Sequence, residues 1–170
     1  MDRPLGPCHK DDYILLFSSL FLSSAFSQLD RTMEQHSTSF PNDAGRVRLF
    51  LVDDSRAVLD AIKKWLTLSG AVEVVGMALS AADAVEQVAA LKPDVVLLDV
   101  RMPGKTGLDA VDELKARQPE VRIVLMSHYP IDDAILKQTS GVHASLSKAE
   151  LLDRLLPTLA QIFPDRRFPA

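Results

Sequence analysis

The chain has 170 residues, of which 47% are hydrophobic and 25% are charged, and its formal net charge at pH 7 is −4. These values are typical of one globular domain and exclude a wholly disordered chain. The negative charge argues against a basic nucleic-acid surface, so we expect no direct DNA binding. The single cysteine, Cys8, excludes an internal disulfide and a cysteine-based zinc cluster, which suits a reducing compartment and predicts a cytoplasmic location.

Residues 1–45 differ in composition from the rest of the chain. Residues 13–26 are apolar and serine-rich, but they are fewer than the ~20 residues that span a bilayer as a helix, so no membrane anchor is predicted. A signal peptide is the alternative, although Asp2, Asp11 and Asp12 cancel the positive charge that precedes the apolar core of such peptides. We interpret residues 1–45 as a poorly ordered extension and linker.

Short apolar runs alternate with amphipathic segments from residue 46 onward. Apolar runs at 47–52, 72–77, 94–98 and 121–126 predict four buried strands. The segments between them carry apolar residues at spacings of three and four, which predicts three helices. Predicted helix boundaries are Ser55 and Ser80 as N-caps, a start near Thr106, and Gly70, Pro93 and Pro119 as terminators.

The last third of the chain predicts a shorter set of elements. Pro130 opens a short fourth helix, residues 144–146 leave room for a brief fifth strand, and Ser147 with Glu150 forms a capping box. A fifth helix follows, bent or restarted at Pro157. Five strands alternating with five helices imply an α/β fold with a parallel sheet, helices on both faces and right-handed crossovers.

We place this single domain at residues 46–164, followed by a C-terminal tail at 165–170. Met33 would begin a compact version of the same domain, so residues 1–32 could lie upstream of the true start.

Polar residues follow four of the predicted strands, where the strands end. Because carboxyl ends of parallel strands meet at one edge of a sheet, we expect these side chains to converge. Three carboxylates at close quarters repel one another unless a positive charge lies between them, which favours a hard divalent cation such as Mg²⁺. A lysine and a hydroxyl beside them predict a pocket for a phosphoryl group. The residues are Asp53, Asp54, Asp99, Ser127 and Lys148.

The loop after Asp99 contains residues that restrict or permit unusual backbone geometry. Pro103 fixes its own φ, while Gly104 and Gly107 allow backbone angles and close approaches that a Cβ would forbid. We expect this loop to hold Asp99 in place. Asp53 and Asp54, taken alone, could instead simply begin a helix, where carboxylates favour the positive end of the dipole.

In this order and spacing, these residues make the chain from about 46 to 163 resemble the receiver domain of two-component response regulators. The resemblance implies a flavodoxin-like (βα)5 fold with strand order 2-1-3-4-5. It implies that Asp99 accepts a phosphoryl group from a sensor histidine kinase or a phosphotransfer protein, with Mg²⁺ as cofactor. Such a domain is a signalling module that catalyses only its own phosphorylation and dephosphorylation.

The resemblance also assigns roles to single residues. Asp54, Asp99 and the backbone carbonyl of Arg101 would bind Mg²⁺ directly, and Asp53 would hold the ion through water. Lys148 would pair with a phosphoryl oxygen. Ser127 would hydrogen-bond the phosphoryl group and report its presence by moving. Arg101 and Tyr129 occupy positions that tune the rate of hydrolysis.

Two positions depart from the family pattern. Ser145 stands where the family usually has an aromatic switch, and Ala149 follows Lys148 where proline is common, which predicts a trans peptide. His128, where a small residue is common, is interpreted as a surface histidine.

Signalling is expected to occur through a downstream protein partner, because the sequence ends at Ala170, shortly after the fifth helix, and suggests a stand-alone receiver. The alternative is a pseudo-receiver that binds partners without phosphorylation. A metabolic aspartyl phosphatase is disfavoured because Asp53-Asp54-Ser55 lacks the Asp-x-Asp spacing, and a flavin protein because these carboxylates would repel its phosphate.

Overall fold

The computed structural model of the protein describes residues 45–129, 131, 136, 139–166 and 168. Five strands form one parallel sheet in the order β2-β1-β3-β4-β5, which confirms the predicted flavodoxin-like topology. The strands are β1 (Val47–Val52), β2 (Val72–Ala78), β3 (Val95–Asp99), β4 (Arg122–Ser127) and β5 (Val142–Ser147). The helices are α1 (Arg56–Ser69), α2 (Ala81–Leu91), α3 (Gly107–Arg117) and α4 (Leu151–Ile162).

The predictions for the extension lie outside the described residues, apart from residue 45. The predicted fourth helix also lies outside them, apart from Ile131, Leu136 and the residues from 139 onward. No helix within the described part of the chain is both long enough and apolar enough to cross a membrane.

Helices cover both faces of the sheet, as the alternating pattern predicts. Leu59 and Ile62 of α1 and Leu155 of α4 belong to one buried cluster, whereas Val88 of α2 and Leu114 of α3 belong to the other. Every residue of β3 is buried, because this strand is central and has a helix layer on each side. The strands that carry the polar residues at their carboxyl ends therefore belong to a sheet that is packed on both faces.

Helix boundaries follow the predicted capping residues. The side chains of Ser55 and Ser80 accept hydrogen bonds from backbone N–H groups at the starts of α1 and α2. Thr106 and Asp109 form a reciprocal capping box at the start of α3. Gly70 ends α1 with φ of 63°, a left-handed conformation that glycine adopts without strain. These local signals set the lengths of the loops that lead to the carboxyl edge of the sheet.

The predicted capping box of Ser147 and Glu150 is wrong. The Ser147 hydroxyl accepts a hydrogen bond from the Ala149 N–H at 3.3 Å and caps a single 3-10 turn, Lys148–Glu150. This tight turn separates Ser147 from α4, which begins at Leu151 without a side-chain cap. Helix α4 runs without interruption from Leu151 to Ile162 with Pro157 inside it, so it does not restart at the proline.

Strand β5 (Val142–Ser147) is longer than the predicted 144–146, because Val142 and Ser147 also pair with β4 and His143 lies between paired residues. The register shifts between Ile123 and Val124, which leaves His143 as the extra residue of a bulge. The bulge allows a polar residue to join the strand. Apolar alternation alone therefore does not reveal the start of β5.

Candidate functional site

The polar residues expected to converge lie at the carboxyl edge of the sheet. Asp53 and Asp54 follow the last residue of β1, Asp99 and Ser127 end β3 and β4, and Lys148 follows β5. Asp53, Asp99, Ser127 and Lys148 are buried, with exposed fractions of 0 to 5%. Charged residues are rarely buried without partners, so this burial marks a site rather than a solvated surface.

Lys148 bridges two of the three carboxylates. Its Nζ lies 2.6 Å from Asp53 Oδ2 and 2.8 Å from Asp99 Oδ2. Burial alone would lower the pKa of Lys148, but the carboxylates of Asp53 and Asp99 outweigh this effect and raise the pKa of the ammonium. The lysine is therefore held as a fixed positive charge between strands that are not neighbours in sequence.

For Asp53, burial has a larger effect on the pKa than the neighbouring Lys148 has. Burial raises its pKa, and the attraction and hydrogen bond of Lys148 oppose that rise without cancelling it. Its Oδ1 accepts a hydrogen bond from the Ser55 N–H at 2.8 Å, and its own N–H donates to Ala78 O at 3.2 Å. Asp53 is thus fixed between β1 and β2, but its ionised form is costly without a further positive charge.

Asp99 is fixed by its neighbours in the loop. The Arg101 N–H donates to Asp99 Oδ1 at 3.2 Å, and the Gly107 N–H donates to Val100 O at 3.1 Å. A Cβ at Gly107 would lie 2.1 Å from the backbone oxygen of Asp99, a distance that no side chain tolerates. Gly104 serves a different purpose, because it has φ of +79° and open space around it. The loop needs both glycines.

We expect Gly107→Ala to cost about 3 kcal/mol of unfolding free energy, at the upper end for overpacking, because the Cβ meets rigid backbone. The control variant Gly104→Ala should cost about 1 kcal/mol, since only its left-handed backbone conformation is strained. Urea denaturation measures both values. Equal losses in the two variants would show that close packing of the loop against Asp99 contributes nothing.

The three carboxylates have the composition of a site for a hard cation. Oxygen atoms of Asp53, Asp54 and Asp99 all lie within 4.8 Å of one another. Three carboxylates against the single ammonium of Lys148 leave an excess of negative charge, and oxygen donors are the ligands that Mg²⁺ prefers. The residues therefore fit a bound divalent cation.

Ser127 and Tyr129 lie at the same edge. Ser127 is one residue beyond Met126, the register partner of Asp99, and its hydroxyl accepts a hydrogen bond from the Tyr129 N–H at 3.3 Å. The Arg101 guanidinium lies 5.3 Å from the centre of the Tyr129 ring, a cation–π contact between two exposed side chains. The resemblance assigns both residues to the tuning of hydrolysis, but the sequence does not predict this contact. The signal for it is that each stands two residues beyond the end of a neighbouring strand.

Comparison with known proteins identifies the family to which the chain belongs. The family model for the response regulator receiver domain matches residues 49–160. The chain is 30% identical over 125 residues to the response regulator GacA of Pseudomonas aeruginosa, covering 72% of this chain and 58% of GacA. It is 38% identical over 90 residues to the DNA-binding transcriptional activator DevR/DosR of Mycobacterium tuberculosis, covering 53% of this chain and 42% of that protein.

A solved structure agrees with these relatives. The signal receiver domain of the response regulator NarL from Mycobacterium tuberculosis superposes with a TM-score of 0.64 at 31% identity, covering 72% of this chain and 99% of that domain. The chain spans about half the length of the curated relatives it matches. With the sheet order and the acidic pocket, these matches show that the chain belongs to the response regulator receiver domain family, a family of signalling domains.

Proposed function

We propose that this receiver domain accepts a phosphoryl group on Asp99 from a phosphohistidine of a sensor kinase or phosphotransfer protein, with Mg²⁺ as cofactor. The observation that carries the proposal is the buried Lys148 ammonium, 2.8 Å from Asp99 Oδ2 within a pocket of three carboxylates. A structural ion pair needs only one carboxylate for each ammonium, so the remaining negative charge supports a site built for further cationic and anionic ligands.

In the proposed transfer, a carboxylate oxygen of Asp99 attacks phosphorus, the phosphorus–nitrogen bond of the donor breaks, and an acyl phosphate forms. The Arg101 N–H, which donates to Asp99 Oδ1, orients the nucleophile. Lys148 moves from Asp99 Oδ2 to an oxygen of the phosphoryl group, keeping its positive charge against the new negative charge. The Ser127 hydroxyl donates to the same group. Asp54, Asp99 and the Arg101 carbonyl would hold Mg²⁺ directly and Asp53 would hold it through water, and the ion would neutralise charge on the phosphoryl group.

Mg²⁺ should raise the melting temperature of the unphosphorylated protein. A ligand that binds only the folded state stabilises it by about 2.7 kcal/mol at one hundred times its dissociation constant. Differential scanning fluorimetry with increasing MgCl₂ at constant ionic strength measures the shift. Asp54→Asn should reduce the shift, whereas Asp60→Asn, in an exposed ion pair on α1, should retain it. A melting temperature that is insensitive to millimolar Mg²⁺ would contradict the proposed metal site.

Output through a change of conformation is the second part of the proposal. Ser127 is the last residue of β4, and Lys148 directly follows β5. Movement of either residue would therefore be transmitted to the chain between these two strands. We propose that the changed surface binds a downstream protein. One relative is named as a DNA-binding activator, but this chain spans less than half of it. The absence of DNA binding by this chain, its stand-alone action and its cytoplasmic location therefore remain predictions, as do the domain boundaries at 46–164.

Beryllofluoride with Mg²⁺ should change amide hydrogen exchange mainly in residues 127–147, because this ligand mimics the phosphoryl group. The competing pseudo-receiver function is favoured by Ser145, which cannot act as an aromatic switch. Under that alternative, exchange would change only in the loops at Asp53, Asp54 and Asp99, or nowhere. Hydrogen–deuterium exchange with mass spectrometry distinguishes the two outcomes, with Asp99→Asn as the unresponsive control.

A further inference from the structure

Arg122 and His143 lie side by side at the opposite edge of the sheet, where β4 and β5 begin. Arg122 Nη1 is 3.1 Å from His143 Nε2, and the Ile123 backbone N–H donates to His143 Nδ1 at 3.1 Å. His143 is the extra residue of the β5 bulge, and its ring takes a backbone donor that a regular strand would pair with a carbonyl.

The imidazole cannot satisfy both donors. A neutral imidazole has one acceptor nitrogen, yet Ile123 N–H and the Arg122 guanidinium each approach one of its nitrogens. The Ile123 N–H is fixed in the sheet, whereas the Arg122 guanidinium is at the end of a long, exposed side chain. The ring therefore accepts from Ile123 through Nδ1 and carries its proton on Nε2. The Nε2–H and the Arg122 N–H groups are then two neighbouring donors, and no carboxylate of the described residues pairs with Arg122.

The surroundings of this pair are positively charged. Burial and the charges of Lys115 and Arg122 lower the pKa of His143, and only the carbonyl of Gly141 acts in the opposite direction. Lys115 Nζ donates to the carbonyls of Pro119 and Val121 at 2.7 and 2.9 Å. The negative charge of Glu120 opposes the lowering of the pKa of Lys115 by burial and by Arg122. Among the described residues, no carboxylate forms an ion pair with Arg122 within 4.0 Å.

We propose that Arg122 and His143 form a binding site for an oxyanion, a carboxylate or a phosphate group, at the amino edge of β4 and β5. Two adjacent N–H donors match two oxygens of one such group, and Arg122 favours this paired geometry. The site is separate from the phosphorylation pocket, because the six residues of β4 place Arg122 roughly 16 Å from Ser127 at about 3.3 Å a residue. The proposal does not depend on phosphorylation of Asp99.

The test follows the His143 ring by NMR in the full chain, in Mg²⁺-free buffer at constant ionic strength. Sodium phosphate and sodium acetate are titrated in separate experiments. An oxyanion beside the ring stabilises the imidazolium, so the measured pKa of His143 should rise as an anion that binds this site is added. Asp99→Asn should behave like the wild type, which separates this site from the phosphoacceptor pocket.

The test variant is Arg122→Gln, and its control is Arg154→Gln, which changes an exposed arginine on α4. Arg122→Gln should raise the pKa of His143 in anion-free buffer, because a nearby positive charge is lost, and should remove the response to anions. Arg154→Gln should retain that response. A response to phosphate alone or to both anions supports the site and identifies its ligand class. Absence of any response, or an equal response in Arg122→Gln, would overturn the proposal.

Discussion

Asp99→Asn will abolish phosphoryl incorporation when the protein is incubated with acetyl phosphate and Mg²⁺. Asp99 ends the central strand β3, is 1% exposed, and lies within hydrogen-bonding distance of Lys148. Asparagine keeps the size of the side chain but removes the anionic nucleophile. Intact mass spectrometry should show a phosphoryl adduct on the wild type and none on the variant.

Asp60→Asn is the matched control for this loss. Asp60 has the same side chain but lies on the exposed surface of α1, paired with Arg56 at 3.0 Å. Its adduct should equal that of the wild type. Hydroxylamine should remove the adduct from both proteins, since it cleaves acyl phosphates. Undiminished labelling of Asp99→Asn would place the phosphoacceptor at another residue and overturn the assignment of Asp99, whereas a wild type that forms no adduct would favour the pseudo-receiver.

Much of the site follows from local rules of sequence. Apolar runs that end in Asp53, Asp99 and Ser127 predict strand ends, and the parallel arrangement brings those ends to one edge. Capping residues then predict where most helices begin. The sequence therefore predicts that these polar residues share one pocket.

What the sequence does not contain is the balance of forces between distant residues. The bridge from Lys148 to both Asp53 and Asp99 depends on the stagger of three strands, which periodicity does not report. The raised pKa of Asp53 depends on the competition between burial and that bridge. His143 was not identified as part of β5, because a polar residue at a bulge interrupts the apolar alternation that indicates a strand.

The same bridge leads to the prediction with the largest effect on stability. Lys148→Met should lower the free energy of unfolding by about 3–5 kcal/mol in metal-free buffer, because Asp53 and Asp99 lose the cation buried between them. Methionine retains most of the side-chain volume, so the loss reports charge rather than a cavity. Lys105→Met is the matched control. Its ion pair with Glu113 is exposed and should contribute less than about 1 kcal/mol.

The pH dependence identifies the cause of this loss. Because the pKa of Lys148 is raised above the usual 10.5, its stabilisation is fully present below pH 10.5 and is lost as the pH rises through the higher value. Wild type and Lys148→Met should therefore converge in stability in strongly alkaline solution.

Mg²⁺ provides an independent check on the same charge balance. A divalent cation among Asp53, Asp54 and Asp99 replaces the positive charge that Lys148→Met removes, so the variant should gain more stability from MgCl₂ than the wild type. Urea denaturation with and without MgCl₂ measures this difference. If Lys148→Met were as stable as Lys105→Met in metal-free buffer, the buried lysine would not be compensating the carboxylates, and the electrostatic account of the pocket would be wrong.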